Sequence, residues 1–192
     1  QNYLEQGLKL KPSSAADYEN LGKLYVIKGD SENAVKMLTQ AADKGADSAY
    51  LTLGKLYTSD GKTEDAKAAF QKYMEKHPKD ADALEQLASI AADAGDYEDA
   101  ATYYKDAMDA ASGDQVKTLQ KSLVAVYEKN GDFASALEEA KDYVADYPED
   151  EDMQKEYEFL QTRVLTGLEN TGDDAAQQAD TTTDTTTEGN GQ

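Results

Sequence analysis

The side chains that usually carry catalysis or bind metals are scarce in this sequence. It has no cysteine and a single histidine, His77, which stands directly before Pro78. Disulfides, thiolate nucleophiles and thiolate metal sites are therefore excluded, and no second histidine is present to complete a metal site or a nucleophile–base pair. We expect His77 to be a surface residue at the carboxyl end of a helix, where a cation is favoured.

Carboxylates are numerous, but their spacing indicates no site. The chain has 39 Asp and Glu against 19 Lys and Arg, a net charge of -20 over 192 residues. The acidic run at residues 149–152 lacks the alternating ligands and central glycine of a calcium loop, and is expected to begin a helix. No glycine-rich phosphate loop is present. The sequence therefore predicts no cofactor, no metal and no enzyme activity.

The charge and the hydropathy pattern also limit the partners. A net charge of -20 repels nucleic acid and anionic lipid at long range. No run of about 18 apolar residues is present, so we expect no direct insertion into a membrane. Protein or peptide partners remain.

An internal repeat accounts for most of the chain. Leu21–Tyr25 and Leu53–Tyr57 are the same five residues, Leu-Gly-Lys-Leu-Tyr, and they begin 32 residues apart. Leu87-Ala88 and Leu123-Val124 continue the series. A glycine and an alanine keep the same register, at Gly29, Gly61, Gly95 and Gly131 and at Ala34, Ala66, Ala100 and Ala136. Several residue types that recur together at a spacing of 32 to 36 residues indicate a tandem repeat.

Each repeat is predicted to contain two helices. In the first, Tyr18, Leu21 and Tyr25 are spaced three and four apart and share one face. The glycine that follows tolerates a left-handed backbone and ends that helix. The candidate caps of the second helices are Asp30, Lys62 or Thr63, Asp96 and Asp132.

Small residues at equivalent positions predict close contact between the two helices of a repeat. The first three repeats have Gly22, Gly54 and Ala88 there, whereas the fourth has Val124. Ala140 is correspondingly small at a position that is large in the other repeats. We expect these two changes to compensate each other in volume.

This pattern resembles the tetratricopeptide repeat family, whose 34-residue unit carries a large residue, Leu-Gly, Tyr, Ala, an aromatic residue and Pro. The second repeat fits it at Tyr50, Leu53, Gly54, Tyr57, Ala66, Phe70 and Pro78. The resemblance implies an all-α, right-handed superhelix of α-α hairpins. It also implies that the first helices line a concave groove, in which partner segments lie.

We divide the chain on this pattern. Residues 1–14 are the second helix of a partial repeat, and the four full repeats are residues 15–46, 47–80, 81–116 and 117–150. Residues 151–168 form a capping helix that covers the last repeat. Residues 169–192 have seven threonines, no Lys or Arg and no aromatic residue, and are expected to be a disordered acidic tail. Because the chain opens at Gln1 in mid-repeat, we expect it to have been cut or processed.

The resemblance places partner contacts on the first helices. Lys23 and Lys55 are equivalent residues of successive repeats, so stacking is expected to place them side by side. Their ammonium groups suit an acidic or carboxylate-bearing segment. The alternative is that each lysine balances a neighbour such as Glu19. The predicted groove residues are Lys23, Ile27, Leu51, Lys55, Lys121 and Lys129.

The sequence thus predicts a non-catalytic scaffold for protein–protein interaction. Two alternatives stay open. The chain is a structural or assembly component exported to a bacterial cell envelope, which the tail composition and the missing cysteines favour, or it is a regulatory domain of a larger protein. The sequence does not fix the location, and the cytoplasm is the other compartment considered.

Overall fold

The computed structural model describes residues 6–9 and 11–167, and this part of the chain is helical without a strand. Residues 6 and 7 are helical and precede nine complete helices. These are α1 (Ala15–Lys28), α2 (Ser31–Asp43), α3 (Ser48–Ser59), α4 (Thr63–Met74), α5 (Ala81–Ala94), α6 (Tyr97–Ala110), α7 (Asp114–Lys129), α8 (Phe133–Asp146) and α9 (Glu151–Leu165).

The helices follow one another in space as they do in sequence. α1 and α2, α3 and α4, α5 and α6, and α7 and α8 pack as four hairpins, and the second helix of each contacts the helix that follows it. α1 also contacts α3. Each hairpin therefore stacks on the next, which is the arrangement of an all-α solenoid.

A left-handed glycine ends the first helix of the first and third hairpins. Gly29 has φ 79° and Gly95 has φ 84°. The amide of Gly29 donates to the carbonyl of Val26, and the amide of Asp30 donates to that of Tyr25. These bonds satisfy carbonyls that the helix end would leave unpaired, and only glycine adopts this backbone without strain.

Two other glycines let the helices of a hairpin approach closely. A Cβ on Gly22 would lie 2.6 Å from Leu38 Cγ, and a Cβ on Gly54 would lie 2.6 Å from Phe70 Cε1. Leu38 and Phe70 are fully buried. A larger residue at either glycine would therefore push against a core side chain, as the sequence predicts.

The third and fourth hairpins use the same pair of positions without a glycine. Ala88 and Tyr104 share the cluster of α5, α6 and α7. Val124 and Ala140 share the cluster of α7, α8 and α9, where both are buried. Further clusters join α2, α3 and α4, and α4 with α5. The core thus runs through all the hairpins because neighbouring helices share these clusters.

The caps of the second helices follow the prediction in part. The carboxylates of Asp30 and Asp132 each accept a backbone N–H three residues on, at 3.2 and 3.1 Å. Asp96 stands at the equivalent cap of α6, but its side chain is exposed and makes no cap hydrogen bond, so its predicted role is wrong. α4 begins at Thr63, and its cap residue Lys62 has no side-chain oxygen that could accept.

The last helix covers the end of the fourth hairpin. Met153 and Leu160 of α9 are buried against the cluster of α7 and α8. α9 ends at Leu165, three residues before the predicted end at 168. Residue 168 and the predicted tail at 169–192 lie outside the described residues, as do residues 1–5 and 10 of the predicted partial repeat.

Candidate partner-binding face

Polar side chains join the first helices of successive hairpins. The Ser48 hydroxyl of α3 donates to Glu19 Oε1 of α1 at 2.8 Å. Lys55 Nζ of α3 lies 3.8 Å from Asp82 Oδ2 of α5. Gln115 Nε2 of α7 donates to Asp82 Oδ1 at 2.9 Å. The first helices are therefore neighbours along the stack, and we call the surface that they share the odd-helix face.

The odd-helix face continues from α7 to the start of α9. Lys121 Nζ lies 2.6 Å from Asp150 Oδ2, and Lys117 Nζ lies 3.4 Å from Glu149 Oε1. Asp150 also accepts from the Tyr143 hydroxyl at 2.7 Å. Hydrogen bonds from Lys121 and then from Tyr143 hold the pKa of Asp150 well below its usual range.

Lys23 is bound to a carboxylate of its own helix. Its Nζ lies 2.6 Å from Glu19 Oε1, and the Lys23 side chain is 49% exposed. Partial burial raises the pKa of Glu19, but hydrogen bonds from Lys23 and Ser48 outweigh it and lower that pKa. Lys23 and Lys55 thus each contact a different acid. The ion pair between Lys23 and Glu19, which the sequence offered as an alternative, is formed.

The other predicted residues differ in their surroundings. Ile27 is 73% exposed in the last turn of α1. Lys129, at the equivalent position of α7, is exposed and makes no hydrogen bond or ion pair within residues 6–9 and 11–167. Leu51 is half-buried and packs against the core cluster of α4 and α5. Leu51 therefore contributes more to the core than to the surface.

Sequence reasoning left out the residues that connect one helix to the next. Asp82 and Ser48 are among these, and Gln115 also donates to Glu85 Oε2 at 3.3 Å. Their spacing of about one repeat was the available signal, since Asp82 and Gln115 are 33 residues apart. Which long side chains form hydrogen bonds with each other depends on how neighbouring helices are placed. The repeat pattern alone does not give that placement.

The chemistry of the face is that of exchangeable ion pairs. Each pair is partly exposed, and exposed ion pairs are worth about 0–1 kcal/mol. Among the described residues no three potential metal ligands are grouped together. Nor does any helix in the described ranges have the length and apolar character needed to span a membrane.

Two models of the tetratricopeptide repeat match the sequence, one over residues 51–115 and one over residues 18–43. The chain belongs to the tetratricopeptide repeat family. No curated protein sequence matches this tetratricopeptide repeat protein.

Solved structures of other repeat proteins have the same fold. A crystal structure of MamA protein superposes with a TM-score of 0.67 at 20% identity, covering 81% of this chain and 84% of that one. The C-terminal part of a repeat-containing protein from Cytophaga hutchinsonii gives 0.63 at 18% identity, covering 75% and 58%. The Cut9–Hcn1 hetero-tetramer of the APC/C gives 0.59 at 16% identity, covering 85% and 33%. These similarities confirm the all-α solenoid.

The family and the fold together define the class of protein. Tetratricopeptide repeats are scaffolds for protein–protein interaction, and residues 15–146 form four stacked hairpins of that kind.

Proposed function

We propose that this tetratricopeptide repeat protein binds an acidic or carboxylate-bearing segment of a partner protein along the odd-helix face. The observation that carries the proposal is the partial exposure of lysine ammonium groups on that face, in a chain whose net charge is -20. The side chains of Lys23, Lys55 and Lys121 are 49%, 50% and 40% exposed. A carboxylate of a partner is attracted to these exposed ammonium groups.

Binding proceeds by exchange of carboxylates. Lys55 contacts Asp82 at 3.8 Å, which is a loose ion pair, and Lys129 is exposed. A partner carboxylate therefore replaces Asp82 at little cost and adds a contact at Lys129. Ile27 supplies an exposed apolar side chain at the other end of the face. The mechanism needs no catalytic group, and the proposal is of a non-catalytic scaffold.

Charge reversal on two faces tests the proposal. Peptides that bind the unmodified protein would be selected from a displayed library. Their affinities would then be measured for the unmodified protein and for the double variant Lys23→Glu with Lys55→Glu. The control is Lys36→Glu with Lys141→Glu, which places the same charge change on the exposed surface of α2 and α8. We expect the selected peptides to be acidic and to bind the first variant about tenfold more weakly, a change of about 1.4 kcal/mol.

Equal losses in the two variants would contradict the proposal, because they would show a response to net charge alone. Selection of basic or uncharged peptides whose affinity does not depend on Lys23 and Lys55 would contradict it as well. The compartment stays a prediction, and cell fractionation separates export to an envelope from a cytoplasmic location.

A further inference from the structure

A cleft of about 240 Å³ opens on the side of the stack formed by the second helices, between α2 and α4. α3 forms its floor through Leu53 and two tyrosines, Tyr50 and Tyr57. Its walls include Asp43 of α2 and Asp65 of α4. The cleft therefore combines aromatic rings with carboxylates, which are the two kinds of group that attract a cation.

The carboxylates of this cleft have no hydrogen-bond or ion-pair partner among the described residues. This holds for the side chains of both Asp43 and Asp65. Asp43 is the last residue of α2, where the helix dipole disfavours a negative charge. The one cation of the wall, Lys72, is held by Glu75 at 2.7 Å. Burial, and then the charge of Asp65, raises the pKa of Tyr57.

An equivalent place in the third and fourth hairpins holds a lysine of the chain itself. Lys105 Nζ of α6 lies 5.4 Å from the centre of the Tyr127 ring on α7. Contact with Tyr127, together with the charges of Glu139 and Glu138 on α8, raises the pKa of the Lys105 ammonium. In this part of the molecule an ammonium therefore occupies the space between a tyrosine and the acids of the next helix.

The repeat register relates the tyrosine and the cation of the two places, whereas their carboxylates come from different positions of the repeat. Tyr57 and Tyr127 each follow the repeated leucine by four positions, and Thr39 is equivalent to Lys105, five positions after the repeated alanine. Threonine carries no charge and does not reach the ring. The first cleft thus has the tyrosine and the carboxylates without the cation from the preceding helix. Lys62 lies 5.7 Å from the centre of the Tyr57 ring, but it belongs to the turn before α4 and does not line the cleft.

We propose that this cleft binds a lysine or arginine side chain from a basic segment of a partner protein, in the place that Lys105 occupies between α6 and α8. The cation lies on the Tyr57 ring, with Asp65 and Asp43 as its counter-charges. This site is separate from the odd-helix face and takes a partner of the opposite charge. It therefore stands or falls independently of the function proposed above.

The experiment compares a lysine added as a peptide with a lysine introduced into the cleft by substitution. A capped Gly-Lys-Gly peptide would be titrated into the isotope-labelled protein while backbone amide shifts are recorded. We expect shifts centred on Thr39, Tyr57 and Asp65. Thr39→Lys supplies the cation in place of the peptide, and we expect it to weaken binding by about fivefold or more. The matched control is Gln71→Lys. Gln71 is the residue of α4 equivalent to Thr39, and the residue of α5 equivalent to Tyr57 is Ala91, which has no ring. This variant should bind the peptide with unchanged affinity.

Shifts spread evenly over all acidic helices, or the same affinity in Thr39→Lys and Gln71→Lys, would overturn the proposal. A second variant should create a new binding site for the peptide. Lys105→Thr removes the resident cation, so a second set of shifts should appear at Tyr127, and failure of that set to appear would also count against the proposal. Lys23→Glu with Lys55→Glu should leave the binding of this peptide unchanged.

Discussion

The hairpins are joined by two kinds of connection. We call residues 73–80 and 143–150 the tyrosine junctions and residues 41–47 and 107–114 the glycine junctions. In each tyrosine junction a tyrosine hydroxyl donates to an aspartate seven residues on, at 2.8 Å from Tyr73 to Asp80 and 2.7 Å from Tyr143 to Asp150. The glycine junctions have alanine, Ala41 or Ala107, at the tyrosine position.

The aspartate of a tyrosine junction has a second role at the next helix. Asp80 accepts the amide of Ala83 at 3.0 Å, and Asp150 accepts the amide of Met153 at 3.3 Å. The same carboxylate therefore ties the end of one helix to the start of the following one. The ring of each tyrosine also contacts an aromatic residue before the proline, as Tyr73 does with His77 at 4.4 Å.

The glycine junctions have no such tie. Asp47 precedes α3 and Gly113 precedes α7, and neither makes a side-chain cap hydrogen bond. Gly45 and Gly113 turn the chain through a positive φ of 93° and 61°. In these junctions backbone conformation and core packing replace the tyrosine–aspartate hydrogen bond. The difference also affects the odd-helix face, because Lys121 is bound to a tyrosine junction whereas Lys55 and Lys129 are not.

The largest effect is expected from removing a junction tyrosine. Tyr143 is fully buried, so Tyr143→Ala leaves a cavity and should lower the free energy of unfolding by about 3–5 kcal/mol. Chemical denaturation measures the change. The control is Tyr147→Ala, four residues on, where the ring is half-buried and the loss should be clearly smaller. Equal losses would show that the buried ring has no special role.

Removing only the hydroxyl isolates the hydrogen bond. Tyr73→Phe and Tyr143→Phe should each cost about 1–2 kcal/mol, because each removes a partly buried hydrogen bond to a charged aspartate. Tyr103→Phe is the control, since that hydroxyl makes no hydrogen bond in the described part of the chain, and should cost less than about 0.5 kcal/mol. The comparison fails if the three variants unfold at the same denaturant concentration.

The two kinds of junction can also be compared at their caps. Asp80→Ala removes a cap and the acceptor of Tyr73, and should cost about 1–2 kcal/mol. Asp47→Ala removes an aspartate that caps nothing with its side chain, and should cost less than about 0.5 kcal/mol. Thermal unfolding of both variants would measure the difference. A larger loss for Asp47→Ala would reverse our ranking of the junctions.

A separate effect is expected at alkaline pH. Burial and then the hydrogen bond to Asp80 raise the pKa of Tyr73 to about 12, and burial and Asp150 raise that of Tyr143. The folded state therefore keeps two protons that the unfolded chain loses near pH 10, so stability falls as the pH rises from about 10 towards 12. The pKa values of Tyr57 and Tyr104 are raised less, so tyrosinate absorbance should show Tyr73 and Tyr143 as the last of these four to titrate in the folded protein.

The double variant Tyr73→Phe with Tyr143→Phe is the control for this titration. It should lose the late absorbance change and show a weaker dependence of unfolding on pH over the same range. Late titration that persists in the double variant would assign it to other tyrosines.

The packing of each hairpin could be predicted from the sequence. Gly22 and Gly54 indicate close approach of two helices, and Gly29 and Gly95 indicate helix ends. Both features depend only on the backbone within one repeat, so the sequence of that repeat is enough to predict them. The partners of long side chains could not be predicted, since Glu19 reaches Ser48 only when two hairpins are stacked. The exposed Asp96 shows that a cap residue in sequence need not form the cap bond.

One feature of the junctions was visible in the sequence and was not used. A tyrosine, a proline five residues later and an aspartate two residues after that occur at Tyr73, Pro78 and Asp80, and again at residues 143, 148 and 150. The two occurrences are 70 residues apart, in the register of the repeat. The spacing could have indicated a tie between helices.

The most direct test of the central proposal is a map of the bound partner segment. An acidic peptide selected on the unmodified protein would be titrated into the isotope-labelled chain, and its amide shifts assigned to helices. We expect the shifts to lie on α1, α3, α5 and α7, with the largest near Lys55 and Lys129. Shifts confined to α2, α4, α6 and α8 would contradict the account, because the odd-helix face would then not be where an acidic partner binds.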